Sequence, residues 1–137
     1  MVIVDSTVWV DYLNGIQNSE TEWLDRRVGD AEIGLTDLIL CEVLQGLRRD
    51  EDFERVRKLL GEFDLLAGGG EEVCVAAADN YRELRRRGRT VRKTMDCLIA
   101  TLCIRNKYSL LHRDSDFRHF EEFLGLSVVH AGNSQSR

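Results

Sequence analysis

The chain alternates short apolar runs with longer segments in which apolar residues recur at helical spacing. Val2–Val4 is followed by Asp5 and then by a helical pattern that stops at Gly15, which indicates a strand and a helix. Ser19 and Glu22 form a capping-box pattern at the start of a second helix. Further short apolar runs have the length of strands, at residues 31–35, 65–66, 108–111 and 126–129.

Helices are predicted between these strands. Thr36 and Thr94 are candidate caps, Thr94 for the apolar helix at 95–106. Other helices are predicted to begin at Asp50 and to occupy 71–87 and 117–123. Strands that are apolar on both faces and alternate with helices indicate a parallel sheet covered on both sides. We therefore predict an α/β fold, a three-layer α/β/α sandwich whose central parallel sheet has about five strands.

Length and composition limit the class of protein. The 137 residues suffice for one domain, which we expect to span 1–131 and to be followed by a flexible tail at 132–137. With 43% hydrophobic and 31% charged residues, the chain is not biased like a disordered segment. Its apolar runs are far shorter than the ~20 residues of a membrane span. We expect a soluble, cytoplasmic protein without a membrane partner.

The charge distribution is uneven. Lys and Arg number 19 against 24 Asp and Glu, and the net charge of −5 argues against a general nucleic-acid-coating protein. Between residues 82 and 93, however, seven cations accompany a single acid, Glu83. A solvated helix end that complements the helix dipole explains two or three of them. The others predict a phosphate-binding patch, for which the candidate residues are Arg85, Arg86, Arg87, Arg89, Arg92 and Lys93.

Cysteine and histidine do not indicate a zinc site. Cys41, Cys74, Cys97 and Cys103 lie in apolar surroundings without the spacing of a zinc knuckle, and we expect buried free thiols. The three histidines form no HExxH pair. A metal ion in this protein would therefore be held by oxygen.

Acidic residues follow two of the predicted strands. Asp5 comes directly after the first, and Asp114 and Asp116 follow the strand at 108–111. Ligands of open α/β sheets bind at the carboxyl ends of the strands, so these acids are candidate site residues. Capping of the following helices is an equally good explanation for Asp5 and Asp116.

Two further acids lie in apolar helical segments. Glu42 interrupts an apolar run, where an unpaired carboxylate is costly to bury, and an ion pair with a distant arginine is the alternative explanation. Asp96 lies in a first helical turn, where the helix dipole alone accounts for it. Clustered carboxylates repel one another unless a cation neutralises them. Oxygen ligands select Mg²⁺ or Mn²⁺, and such sites hydrolyse phosphodiesters.

Four segments, in this order and at these separations, resemble PIN-domain ribonucleases, specifically VapC-type toxins. They read MVIVDSTVWVDYL, LTDLILCEVLQGLR, TMDCLIATLC and LLHRDSDF. The resemblance covers residues 1 to about 130. Two positions depart from the usual pattern, since Ser6-Thr7 stands where Thr-Ser is frequent and His112 stands where Thr is common.

The resemblance implies a five-stranded parallel sheet, a homodimer, cleavage of RNA, and inhibition by a cognate antitoxin. It also implies the roles of individual residues. The matching acidic metal-binding positions are Asp5, Glu42, Asp96 and Asp114, with Asp116 as an additional acid and Thr7 as the hydroxyl near the first acid. These six residues are the predicted catalytic set.

Two other functions compete with this one. A phosphatase that uses Asp5 as nucleophile would need a second aspartate two residues later, where this chain has Thr7. A catalytically inactive PIN-like module that binds RNA or protein would have no reason to keep every acid. Metal-dependent RNA cleavage by the purified protein distinguishes the nuclease from the inactive module.

Overall fold

The computed structural model describes residues 1–132, and the predicted tail from residue 133 on lies outside the described residues. The strands in this part are β1 (Val2–Val4), β2 (Ile33–Thr36), β3 (Leu65–Leu66), β4 (Ser109–Leu111) and β5 (Ser127–Val128). The helices are α1 (Ser6–Leu13), α2 (Ser19–Arg27), α3 (Asp37–Gln45), α4 (Asp50–Leu60), α5 (Gly70–Arg86), α6 (Thr94–Asn106) and α7 (Arg118–Leu124). A short 3-10 helix, Ser115–Phe117, precedes α7.

The strands form one parallel sheet in the order β3-β2-β1-β4-β5, flanked by the helices. The predicted α/β fold with five parallel strands is therefore confirmed in the described residues. β1 lies in the middle of the sheet between β2 and β4. The chain runs outward from β1 through β2 to β3 and then crosses to β4 and β5, so the switch point lies between β1 and β4. Sheets of this kind leave a crevice at the carboxyl ends of the strands at such a point.

One apolar core lies on both faces of the sheet. Ile3 and Val4 of β1 and Leu110 and Leu111 of β4 are fully buried. Such side chains each contribute about 1.5–3 kcal/mol when removed from water. This packing holds β1 and β4 in place, so that both strands end at the same edge of the sheet.

Of the three helix caps predicted at Ser19, Thr36 and Thr94, only the cap at Thr36 is confirmed. The Thr36 side chain accepts a hydrogen bond from the backbone N–H of Ile39 and caps α3, as predicted. The capping box of α2 is formed by Asn18 and Thr21, so the prediction of Ser19 with Glu22 is wrong. Thr94 is the first residue of α6 and does not cap it.

The four cysteines are free thiols, but only Cys97 and Cys103 are buried. Cys41 and Cys74 are exposed, which corrects the prediction of four buried thiols. Both lie on the outer faces of α3 and α5. Among the described residues, no helix combines the length and the apolar character needed to cross a bilayer.

Candidate active site

The carboxyl ends of β1 and β4 lie at the same level of the sheet. Val4 pairs with Leu111, and the backbone N–H of Asp5 donates to the carbonyl of Leu111 at 2.9 Å. Asp5 is therefore next to the loop that carries Asp114 and Asp116. The fold brings the first strand's acid to the acids after the fourth strand.

The carboxylate of Asp5 caps α1 with one oxygen only. Its Oδ2 accepts hydrogen bonds from Thr7, at 3.1 Å from the backbone N–H and 2.7 Å from the hydroxyl. The Thr7 hydroxyl in turn accepts from the backbone N–H of Arg113 at 3.1 Å, which joins α1 to the loop after β4. The Oδ1 atom of Asp5 is buried and has no hydrogen-bond partner in the described part of the chain. Capping of α1 therefore accounts for the Oδ2 atom of Asp5 but not for its Oδ1 atom.

Three carboxylates form a compact cluster at this edge. Asp96, Asp114 and Asp116 each contribute a ligand oxygen, and these oxygens lie within 4.8 Å of one another. We call this group the acidic triad. Asp96 is only 3% exposed in the first turn of α6, and its Oδ2 has no hydrogen-bond partner within residues 1–132.

In the loop after β4 the capping residue is Asp114, whereas the capping alternative assigned this role to Asp116. Asp114 accepts a hydrogen bond from the backbone N–H of Asp116 at 2.9 Å and caps the 3-10 helix. Asp116 is inside that helix, so it is not the cap. The Oδ2 atom of Asp114 remains directed toward the cationic side of the site, 3.6 Å from the Nζ atom of Lys93.

Glu42 lies on α3 and is half-buried. Its Oε1 accepts a hydrogen bond from the Ser6 hydroxyl at 3.1 Å, and within residues 1–132 no arginine pairs with it. The alternative of an ion pair with a distant arginine is therefore wrong for this part of the chain. Burial raises the pKa of Glu42, and the negative charge of Asp5 raises it further. Glu42 belongs to the same electrostatic site, although it is not a member of the acidic triad.

Burial raises the pKa values of two acids at this edge, Asp5 and Asp96. The pKa of Asp96 is raised to about 7, first by burial and then by the charges of Asp5 and Asp114. The pKa of Asp5 is raised by burial. The negative charge of Asp96 in turn raises the pKa of Lys93. The site therefore favours any cation that can approach these oxygens.

Ser6 and His112 contribute to the site in ways that sequence reasoning missed. The Ser6 hydroxyl holds Glu42, and its position next to Asp5 was the available signal. The Nδ1 atom of His112 accepts a hydrogen bond from the backbone N–H of Asp114 at 3.0 Å, and burial lowers the pKa of this imidazole. A neutral ring that accepts at Nδ1 fixes the loop acid in place.

The predicted phosphate-binding patch separates into two groups. Near the end of α5, Arg86 and Arg87 pair with Glu83, Arg85 lies over Tyr81, and Arg87 and Arg89 lie over Phe123. We call Arg85, Arg86, Arg87 and Arg89 the helix-end arginines. Arg92 and Lys93 instead approach the acidic triad, with Arg92 Nε 3.9 Å from Asp116 Oδ1.

The residues present fit a divalent cation. The acidic triad offers hard oxygen ligands at close range, and Asp96 carries a buried oxygen without a hydrogen-bond partner among the described residues. Unpaired buried carboxylate oxygens are costly, and a bound cation would satisfy them. A purely oxygen-based set favours magnesium or manganese over zinc.

The fold and this site define a known class of protein. The chain belongs to the PIN domain family, whose model matches residues 2–122. Ribonuclease VapC11 of Mycobacterium tuberculosis is 33% identical over 119 residues, which cover 85% of this chain and 89% of that protein. A VapC ribonuclease of Mycobacterium bovis matches equally well.

Solved structures share the fold at lower sequence identity. FitAcB from Neisseria gonorrhoeae has a TM-score of 0.74 at 18% identity and covers 97% of this chain and 99% of that chain. VapBC2 from Rickettsia felis, bound to a DNA fragment from its promoter, has a TM-score of 0.72 at 18% identity and covers 93% and 97%. These likenesses confirm the PIN-like fold predicted from the sequence.

Proposed function

We propose that this protein is a Mg²⁺- or Mn²⁺-dependent endoribonuclease, the toxin of a toxin–antitoxin pair. The observation that carries the proposal is the acidic triad, in which one oxygen from each carboxylate lies within 4.8 Å of the others. The second observation is the buried Oδ2 of Asp96, which has no hydrogen-bond partner within residues 1–132. The names of the VapC relatives, which are ribonucleases, support the same activity. We expect it to act in the cytoplasm, where RNA is translated.

The five acids and Thr7 are the proposed catalytic set. Of the five predicted metal ligands, Asp96, Asp114 and Asp116 form the compact cluster that would hold the ion. The other two, Asp5 and Glu42, would add negative charge beside it. Thr7 is a positioning residue, because its hydroxyl links Asp5 to the backbone of Arg113. When bound, a divalent cation neutralises negative charge on the phosphodiester as a Lewis acid.

The reaction consumes one water molecule for each bond that is cut. The water oxygen forms a bond to phosphorus, the bond from phosphorus to one ribose oxygen breaks, and that ribose oxygen takes up a proton. His112 holds the loop that presents Asp114, and Ser6 orients Glu42. The RNA-binding residues in this proposal are the helix-end arginines together with Arg92 and Lys93.

The partners are RNA, a cognate antitoxin and a second copy of this chain. The similar solved structures include VapBC proteins, which supports an antitoxin partner. We propose one PIN domain over residues 1–131 and a homodimer. Light scattering of the purified protein, alone and with the product of the adjacent upstream reading frame, measures both stoichiometries.

Incubation of the purified protein with total RNA tests the activity. We expect new RNA ends in Mg²⁺ or Mn²⁺, none in EDTA, and loss of most cleavage in Asp5→Asn and Asp96→Asn, because an amide cannot replace a carboxylate in neutralising the ion. Sequencing of the new ends identifies the target. Full activity of either variant would contradict the assigned site, and RNA binding without cleavage by the wild type would identify the inactive binding module.

A further inference from the structure

Lys93 lies beside the acidic triad, and its backbone is held by α6. It is the residue directly before α6 and has an extended backbone, with φ −121° and ψ 126°. Its carbonyl accepts a hydrogen bond from the backbone N–H of Cys97 at 3.4 Å, so its backbone is tied to the helix that carries Asp96. The side chain extends to the neighbouring loop, where Nζ lies 3.6 Å from Asp114 Oδ2.

The other cations of the patch are farther from the triad or occupied elsewhere. Arg86 and Arg87 lie 2.8 and 3.0 Å from oxygens of Glu83. Arg92 approaches Asp116, but at 3.9 Å and with a side chain that is 82% exposed, against 58% for Lys93. In the described part of the chain, Lys93 therefore makes the shortest ion pair with the triad.

This ion pair is loose enough to exchange. Charge-assisted hydrogen bonds of ammonium groups usually measure about 2.7–2.9 Å, and the separation of Lys93 from Asp114 is longer. A lysine ammonium is a point charge on a flexible stem, with three donors that can turn to a new acceptor. A divalent cation on the same carboxylates would repel the ammonium, and an arriving phosphate oxygen would offer it a replacement partner.

We propose that Lys93 is a catalytic residue whose ammonium moves from the triad to a non-bridging oxygen of the scissile phosphate. This rests on the proposed ribonuclease function and separates Lys93 from the helix-end arginines, which affect affinity only. The ammonium donates hydrogen bonds and keeps its protons. The proton lost by the attacking water passes to solvent, and the departing ribose oxygen takes one up from solvent, so the balance of the reaction is unchanged.

Binding of inorganic phosphate to the Mg²⁺-saturated protein tests the contact without RNA. In calorimetric titrations, Lys93→Met should weaken phosphate binding by about tenfold or more, and Lys93→Arg should restore most of it. Lys58→Met on α4 is the matched control, an exposed lysine far along the chain from the site, and it should leave binding unchanged. Mg²⁺ affinity of Lys93→Met should be equal to or tighter than that of the wild type, because a competing positive charge is gone.

RNA cleavage adds a second measurement. Lys93→Met should lower kcat by about 100-fold with a smaller change in KM, as expected for a group that stabilises charge in the transition state. Unchanged phosphate affinity, or weaker Mg²⁺ binding in Lys93→Met, would overturn the proposal, the latter because it would indicate a structural role. If the wild type cuts no RNA, the proposed ribonuclease function is wrong. The phosphate titration still decides whether Lys93 contacts a phosphate oxygen.

Discussion

The two carboxylate oxygens of Asp5 face different surroundings. One accepts both hydrogen bonds from Thr7, while the other is buried without a partner in the described residues. A residue that only capped α1 would not need to bury its second oxygen, since a serine would cap equally well. This second oxygen is therefore the part of Asp5 that capping leaves unexplained, and the charge of Asp5 contributes to the raised pKa of Asp96.

The raised pKa of Asp96 predicts an unusual dependence of stability on pH. In the folded protein this pKa is about 7, whereas the ordinary value is 3.8. Between these values the folded protein binds more protons than the unfolded chain, so the free energy of unfolding decreases as the pH rises. In EDTA, Asp96→Asn should be more stable than the wild type above pH 7, and the difference should shrink as the pH is lowered toward 4.

Melting temperatures of both proteins across this pH range measure the effect. Asp64→Asn is the matched control, an exposed acid outside the site, and its melting curve should follow that of the wild type. Saturating Mg²⁺ should reverse the order of stability, because only the wild type keeps the carboxylate. A constant difference between Asp96→Asn and the wild type at every pH would contradict the raised pKa.

Glu42→Gln distinguishes an electrostatic role from a structural one. Its hydrogen-bond partner is the Ser6 hydroxyl, and its charge lies near that of Asp5. Loss of this charge should weaken Mn²⁺ binding by about tenfold, the effect typical of residues just outside a set of metal ligands. The melting temperature in EDTA should not fall. A large loss of stability with unchanged Mn²⁺ affinity would contradict this role.

At the scale of elements, Thr36 connects β2 to α3 and so orients Glu42. It is fully buried, and its hydroxyl caps α3 at the N–H of Ile39, 3.1 Å away. Thr36→Val keeps the shape and removes the cap, and urea unfolding should show a loss of about 1–2 kcal/mol. Thr36→Ser keeps the hydroxyl and should lose about 1 kcal/mol at most. Equal stability of Thr36→Val and the wild type would show that the cap contributes nothing.

The caps also show how precisely sequence patterns predict the residue at which a helix begins. Thr36 could be predicted because a sharp change from strand to helical spacing leaves one position for the cap. The start of α2 offered several polar residues, and Asn18 with Thr21 formed the box one residue earlier than Ser19 with Glu22. Periodicity could not choose between adjacent registers, because the two boxes differ by a single residue and both place polar side chains at the start of the same helix.

The cysteines show a similar limit on predicting burial. Cys97 and Cys103 of α6 are buried, whereas Cys41 of α3 and Cys74 of α5 are exposed, although each of the four has apolar neighbours in the sequence. An apolar residue beside an apolar stripe is ambiguous until the packing partners of the helix are known. Fold class could therefore be predicted with more precision than the burial of single residues.

At the scale of the whole molecule, the sheet order explains why distant acids converge. β1 lies between β2 and β4, and the acids follow β1 and β4 or lie in the helices beside them. Each acid had a local signal in the sequence, a strand end or an apolar helix. The strand order had none, and neither did the contact of Lys93 with Asp114, since both depend on packing between segments far apart in the chain.

The uneven charge of the molecule predicts that RNA phosphates bind at the end of α5. A chain with net charge −5 concentrates cations at the end of α5, where Arg86 and Arg87 share Glu83. These exposed pairs are screened by water, so phosphates can replace Glu83 at low cost. Substitution of Arg86, Arg87 and Arg89 by Ala should raise KM strongly and change kcat less, provided that binding equilibrates before cleavage.

The salt dependence of RNA affinity checks the same contacts independently of turnover. Each phosphate contact with single-stranded RNA contributes about 0.7 to the slope of log affinity against log salt, so the triple variant should lose about 2 from that slope. Glu83→Gln is the converse variant and should tighten RNA binding, because it frees two guanidinium groups and removes one negative charge from the patch. An unchanged slope in the triple variant would show that these arginines do not touch RNA and are instead a solvated helix end or part of the surface for the antitoxin.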